Sequence, residues 1–454
     1  MQKLTNSNLF HKQSLKNLKE AEHKSLRHHF ATTAKTSNST LPGPDPKILA
    51  NSLITHAIHR KKTLESSVAQ TFKPVLKSTH RRSWTSVEVP SLILGPVSNY
   101  EKSLTEHEKT EIKQYEKVFY VGKGALKNTG CFSDKTGYYI ATNKDHLAYR
   151  YEIMEVLGQG TFGQVVKCID HKDQTEVAIK IIRKYPDYHK SGENEVKILS
   201  LLAQKKCKTI VQMIDSFEFR GHLCIVFELL SLNLYQLLHK NNFSGFSFSL
   251  VRRFTQQILQ SLQQIHSSNI IHCDLKPDNI LLKLEKKSVI KVIDFGSSCE
   301  ENKQGLNYVQ SRFYRAPEIV IDAKYDRKID IWSIGCIVVE FITGQPLFEA
   351  GDEVELFRRF VEVLGCPSAE FMSSGRRSKF YVDKAGKLKF KGNGEGKGIS
   401  EVLAGVEDVI ADFVEKCLAW EPEKRMSVEQ ALAHPWIKGG LRSGRSSVDL
   451  DEHR

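Results

Sequence analysis

A chain of 454 residues, 40% apolar and 26% charged, is long enough for roughly two or three domains or one large two-lobed enzyme with extensions. No run approaches the ~18 uninterrupted apolar residues of a membrane span and Met1–Lys19 is polar throughout, so neither a membrane anchor nor a secretory leader is expected. The net charge of +13 is uneven: residues 1–100 hold 15 Lys+Arg against 5 Asp+Glu, the remainder 51 against 48, so basicity marks the N-terminal extension and not the body.

Residues 1–98 lack sustained periodicity and are broken by Pro42-Gly-Pro-Asp-Pro46, which reads as a largely disordered extension. Its clusters His59–Lys62 and His80–Arg82 fit a solvated tail better than a nucleic-acid or import patch, leaving nucleic-acid binding a secondary reading. Residues 99–150 change texture. Thr105 followed three residues later by Glu108 is a capped helix start, and Val118–Val121 reads as a strand ended by Gly122. From 151 to 230 the pattern predicts strands over Ile153–Leu157, Gly163–Ile169, Val177–Ile182 and Leu223–Phe227, with a helix over Asn194–Ala203.

From 231 to 438 helical stripes dominate: Val251, Phe254, Ile258, Leu262 and Ile265, then Val406, Val409, Ile410, Phe413, Val414, Cys417 and Leu418. Between them 368–397, rich in Lys, Arg and Gly, reads as an irregular insert, and 439–454 as a polar tail. The order implies an α+β, bilobal architecture, a small β-rich lobe before a larger helical one with chemistry at their junction. Nine cysteines without a close pair fit neither a zinc knuckle nor a disulfide framework. Reduced thiols in a cytoplasmic or nuclear protein are expected.

The chemistry-bearing residues follow the same order. Gly158, Gly160 and Gly163, with Val165 after them, form a glycine turn that opens onto a strand, so the backbone can close over a triphosphate; opening onto a helix would instead suggest a dinucleotide site. Lys180, flanked by Val177, Ala178, Ile179, Ile181 and Ile182, must be partly buried and needs a carboxylate, for which Glu195 is the candidate. Asp274 can take the proton of an attacking hydroxyl and orient it, Lys276 can neutralise a moving phosphoryl group, and Asn279 can hold a magnesium ion. Asp294, after the apolar run Val289–Ile293, offers a second metal-binding carboxylate.

These elements, with Ala316-Pro-Glu318, Asp330-Ile-Trp332 and His434-Pro-Trp436, resemble the eukaryotic protein kinases over about 151–437. His272-Cys-Asp274, Asp294-Phe-Gly-Ser-Ser-Cys299 and Tyr308-Val-Gln-Ser-Arg-Phe-Tyr-Arg315 narrow this to the dual-specificity tyrosine-phosphorylation-regulated kinases, within the group that also holds the homeodomain-interacting kinases. The segment around Leu104, Tyr120-Val-Gly122 and Asp145–Glu152 is similar to the accessory region of the family's second class. The resemblance implies ATP and magnesium as cofactors, Ser/Thr transfer to proteins with proline after the target, and autophosphorylation on Tyr308. It also implies an ATP pocket built with Val165 and Ala178, a bulky Phe227 at its back, and backbone contacts from Glu228 and Leu230. Glu318 is implied to pair with Arg425, and Asp330 to hold the catalytic loop. A monomer with protein partners is expected. A homeodomain-interacting kinase and a catalytically silent scaffold are the rival readings. The accessory segment speaks against the first, the filled catalytic positions against the second.

Three letters depart from common kinase usage. Cys273 stands where kinases switched on by loop phosphorylation usually carry arginine, so a loop phosphate finds no cation on the catalytic loop. The family's Tyr-x-Tyr is Leu306-Asn-Tyr308, leaving one tyrosine, whose phosphate Arg312 and Arg315 can grip by charge-assisted bonds of about 1.5–3 kcal/mol each. Asp278 replaces glutamate beside Asn279, which is expected to shift any preference for basic residues upstream of the target.

Overall fold

The computed structural model describes residues 100–439 except 206, 304–307, 384–385 and 391–394. The basic extension 1–98, Leu306 and the tail beyond Gly439 lie outside the described residues.

Six strands form one antiparallel sheet in the order β1-β2-β3-β4-β6-β5: His146–Leu147, Tyr151–Gln159, Gly163–Asp170, Thr175–Ile182, His222–Glu228 and Met213–Phe219. Strand alternation divides the labour within it. Val177, Ile179 and Ile181 of β4, with Cys224 and Val226 of β6, pack into a core shared with Tyr139 and Leu147 of the preceding segment. Residues one step out of phase fall on the opposite face, where Ala178 pairs with Phe227 and Lys180 with Ile225. The same alternation therefore fills one core and delivers the lysine to the cleft side.

The helix of this lobe, α2 (Pro186–Ala203), starts eight residues before the predicted Asn194. Pro186 at its first turn supplies the preset φ, while the polar run 187–193 hid the periodicity. Strand β5 carried little sequence signal because it is an edge strand with polar residues interleaved. The strand expected at Val118–Val121 is absent. Instead the Tyr149 carbonyl accepts from both Phe119 and Tyr120 amides, at 2.9 and 3.0 Å, and no ladder extends from that shared acceptor. The Thr105–Glu108 capping box does form, opening α1 (Glu106–Glu111).

Segment 100–150 is bound to the sheet by a buried polar knot. Glu108 accepts from His146 at 2.9 Å, Lys127 at 2.7 Å and Arg220 at 3.2 Å. Arg220 sits on the turn between β5 and β6 and also holds Glu111 at 2.9 Å, and Glu111 accepts the Tyr149 hydroxyl at 2.8 Å.

The larger lobe packs on α3 (Phe248–His266) and α4 (Lys328–Thr343), with α5 (Glu353–Leu364) and α6 (Asp408–Cys417) around them. All five residues of the first predicted stripe are buried, as are five of the second; Val406 and Val409 are partly buried. Glu318 and Arg425 form a bidentate pair at 2.6 and 2.7 Å, each 1% exposed. The insert is less irregular than expected, containing a short helix, Ala369–Ser373, and a bridge between Val382 and Leu388.

Candidate active site

The β2–β3 turn is closed by the Gly160 amide donating to the Gly163 carbonyl at 2.8 Å. A Cβ on Gly163 would collide with the Ile181 carbonyl, so packing demands glycine there. A Cβ on Gly158 or Gly160 would meet nothing within 4 Å. Their bareness serves no contact of the fold; it leaves room above the backbone for something else. Tyr138, from the segment before the sheet, donates its hydroxyl to the Gly160 carbonyl at 2.7 Å, a tether no local pattern signalled.

Lys180 donates to Glu195 Oε2 at 2.7 Å and to Asp294 Oδ1 at 2.8 Å. Burial alone would pull its pKa down, but Asp294 and then Glu195 outweigh that and hold it above its ordinary value, so it stays an ammonium. Burial likewise opposes ionisation of Asp294, yet Lys180 and more weakly Lys276 keep its carboxyl well below the usual range. Burial pushes Glu195 up against the pull of Lys180. Glu195 Oε1 also accepts the Phe295 amide at 3.2 Å, fixing α2 to the segment carrying Asp294. That segment is further fastened by Ser191 to the Gly296 carbonyl and Asn194 to the Ser298 carbonyl. Asp294 has φ +63°, a left-handed backbone that turns the chain sharply at the carboxylate.

The catalytic loop hangs from Asp330, in the first turn of α4 and fully buried. Its carboxylate accepts the amides of His272 and Cys273 at 2.9 and 3.0 Å and His266 Nε2 at 2.9 Å. Cys273 itself has φ +65° and is buried, its thiol 3.7 Å from that of Cys299. Beyond it Asp274 gathers the site. Oδ2 accepts from Lys276 at 2.7 Å and Asn279 at 3.2 Å, and Oδ1 from the amide and hydroxyl of Ser311 at 2.9 and 2.7 Å. Asn279 spends a second contact on the Asp274 carbonyl at 2.8 Å. Burial would lower the pKa of Lys276; Asp274 and Asp278 raise it. Ser311 lies within the Tyr308–Arg315 run, but nothing local in the sequence signals its link to Asp274.

On the inner side, Phe227 is 9% exposed and packs in the main core. The Glu228 carboxylate turns out to have work of its own. It accepts Lys291 Nζ at 2.5 Å and the Gln212 amide at 2.8 Å, which ties the chain crossing between lobes to the short strand Ile290–Val292 and to the lead-in of β5. Leu230 packs, partly buried, against the same core as Phe227.

Tyr308 lies under the Arg315 guanidinium, 4.0 Å from ring centroid to Cζ. Arg315 also donates to the Val309 carbonyl at 3.1 Å and the Gln310 carbonyl at 2.8 Å, and to Glu353 at 3.1 Å. Arg312 is directed elsewhere, to the carbonyls of Ala350 and Gly351. Of the two arginines expected at Tyr308, the structure brings only Arg315 onto its ring.

A model described as "Protein kinase domain" matches residues 151–437. The chain is 41% identical over 408 residues to dual specificity tyrosine-phosphorylation-regulated kinase 3 of Homo sapiens, covering 81% of this chain and 69% of that protein. It is 44% identical over 356 residues to kinase 4 of the same name and organism, covering 74% and 68%. Similarity also extends to mbk-2 of Caenorhabditis elegans, 39% identical over 380 residues, 76% of this chain and 46% of that one.

Proposed function

Because this chain belongs to the protein kinases, and among them to the dual-specificity tyrosine-phosphorylation-regulated family and not the homeodomain-interacting one, we propose that the Asp274 site performs its transfer. In this reading the γ-phosphate of ATP passes to Ser/Thr hydroxyls of protein substrates and, within the chain, to Tyr308. The observation that carries it is the convergence of Asp274, Lys276, Asn279, Lys180 and Asp294 from three separate segments onto one cleft face.

The roles follow from the contacts. Asp274, anchored through both carboxylate oxygens, orients the attacking hydroxyl and accepts its proton, work of about 10²–10⁴-fold. Lys276, donating to both Asp274 and Ser311, places positive charge beside the transferred group. Lys180, kept charged by its two carboxylates, grips the non-transferred phosphates under the bare turn of Gly158 and Gly160. Val165, Ala178, Phe227, Glu228 and Leu230 line the adenine side. The Asn279 amide oxygen and the Asp294 carboxylate are hard oxygen donors of the kind magnesium takes, and the ion bound there supplies charge neutralisation for the phosphates.

Proline direction is supported by Arg315. The Gln310 carbonyl, on a residue with φ +68°, already accepts two bonds from that guanidinium. A substrate residue after the target finds no acceptor for its N–H there, whereas proline has none to satisfy. Free thiols at all nine cysteines fit a cytosolic or nuclear setting.

A phosphosite map of freshly expressed protein, beside an Asp274→Asn variant and a peptide-library profile, tests this. Phosphate on Tyr308 in the parent only, with Ser-Pro or Thr-Pro preferred, is expected. Equal incorporation by both proteins would overturn the assignment.

A further inference from the structure

We propose that Arg377, supplied by the 368–397 insert, is a ligand for the phosphate of phosphorylated Tyr308, acting beside Arg315. The inference rests on Tyr308 being the autophosphorylation site, and it makes the insert part of the activation device.

Arg315 and Arg377 meet on one carboxylate. Arg315 Nη1 is 3.1 Å from Glu353 Oε1 and Arg377 Nη2 is 2.5 Å from Glu353 Oε2. Two guanidiniums sharing a single carboxylate leave the cluster with an uncompensated positive charge. Arg315 is 2% exposed and Arg377 largely covered, so water screens that charge poorly. The Tyr308 ring lies directly beneath Arg315, and a negative charge placed on the Tyr308 oxygen would favour the charged form of Arg377 as well. The Arg377 backbone is itself pinned, its amide donating to the Ile321 carbonyl at 2.8 Å. Arg312, by contrast, has committed its guanidinium to the Ala350 and Gly351 carbonyls.

A phosphate on Tyr308 brings about −1.5 to −2 charge and three acceptor oxygens, which suits two forked cations better than one. Glu353 then becomes a competitor for the same two arginines, and the phosphorylated loop is held to both α5 and the insert. Cys273 leaves the catalytic loop without a guanidinium, so this cluster is where a loop phosphate finds its charge partners.

The full chain is expressed as the parent, Arg377→Ala, Arg377→Lys, Glu353→Gln and Tyr308→Phe. Phosphopeptide mapping first scores Tyr308; phosphate absent from the parent would overturn the autophosphorylation reading and this inference with it. Where Tyr308 is phosphorylated, thermal unfolding and the rate of dephosphorylation by a tyrosine-specific phosphatase are measured. A purely structural Arg377 lowers Tm equally in phosphorylated and dephosphorylated protein. A phosphate ligand gives coupling. The Tm loss on dephosphorylation shrinks by roughly 2–4 °C in Arg377→Ala, and its phosphate is removed about tenfold faster. Arg377→Lys should fall between. Glu353→Gln should move the other way, slowing removal, and keeps the test open if Arg377→Ala does not fold. Equal Tm losses and equal removal rates across parent, Arg377→Lys and Glu353→Gln would overturn the proposal.

Discussion

Ser311 directs both its backbone amide and its hydroxyl to one carboxylate oxygen of Asp274, at 2.9 and 2.7 Å, across 37 residues of chain. Asp274 is thereby fixed by the segment that also carries Gln310 and Arg315. If Asp274 is the base, as proposed, order in this segment and orientation of the base are one structural event.

Ser311→Ala removes the hydroxyl contact to Asp274 and the one to Lys276 at 2.9 Å, leaving the backbone amide in place. Hydrogen bonds to a charged group are worth about 1.5–3 kcal/mol, so kcat should fall by roughly 10- to 100-fold. The KM for ATP should stay near the parent value because Lys180 and the glycine turn are untouched. Steady-state kinetics on a Ser-Pro peptide check both numbers; a shift carried entirely by the KM for ATP would refute the assignment.

Glu195→Gln keeps the shape of the side chain but strips a charge from the Lys180 cluster. Lys180 then rests on Asp294 alone, and the Phe295 amide keeps a neutral acceptor. Asp294 drawn onto Lys180 is less available to a metal ion, so kcat/KM for ATP should drop by about 10²-fold or more with the fold retained. Activity titrated against magnesium should show the half-maximal concentration rising in the variant. An unchanged magnesium requirement would count against Asp294 as the shared group.

How much of this was legible depends on how far apart the partners sit in the chain. Gly158–Gly163, Lys180 and the run from Asp274 to Asn279 are dictated by local geometry, namely a turn, a strand phase and a tight loop, and each shows in adjacent letters. Glu195 could be named because a buried lysine requires a carboxylate. Ser311, Tyr138, Arg220 and Arg377 acquire meaning only when distant segments close on one another, and no periodicity encodes that. The false strand at Val118–Val121 shows the converse. Four residues of high β-propensity found no ladder partner, and the Tyr149 carbonyl captured the amides of two of them, Phe119 and Tyr120, instead.

Glu318 and Arg425 are the buried pair on which the lower lobe closes, with Arg425 also donating to the carbonyls of Ala419 and Trp420. Glu318→Ala strands a fully buried guanidinium and should cost about 3–5 kcal/mol of stability. The denaturation midpoint in urea should fall accordingly, with the slope unchanged. A loss below about 1 kcal/mol would mean that the guanidinium finds water or another acceptor.

The knot around Glu108 predicts how stability depends on pH. Burial holds the His146 imidazole below its ordinary pKa, with Arg220 adding to the depression, while Glu108 and Asp145 oppose it. Below pH ~6.5 the unfolded chain takes up a proton at this histidine that the folded chain refuses, so protons favour unfolding. Stability contributed here is complete above pH ~6.5 and declines as pH falls, by at most about 1.4 kcal/mol per pH unit. His222, also depressed chiefly by burial, adds a term of the same sign. The Glu108 carboxyl, held well below its ordinary value by His146 and Lys127 against burial, extends the loss to more acid pH. Tm should therefore fall steadily from pH 7.5 to 5.5. In His146→Gln, which retains a donor for Glu108 but cannot titrate, the decline over that interval should be shallower. An identical slope in parent and variant would show that the imidazole protonates in the folded state, and that the knot opens to water.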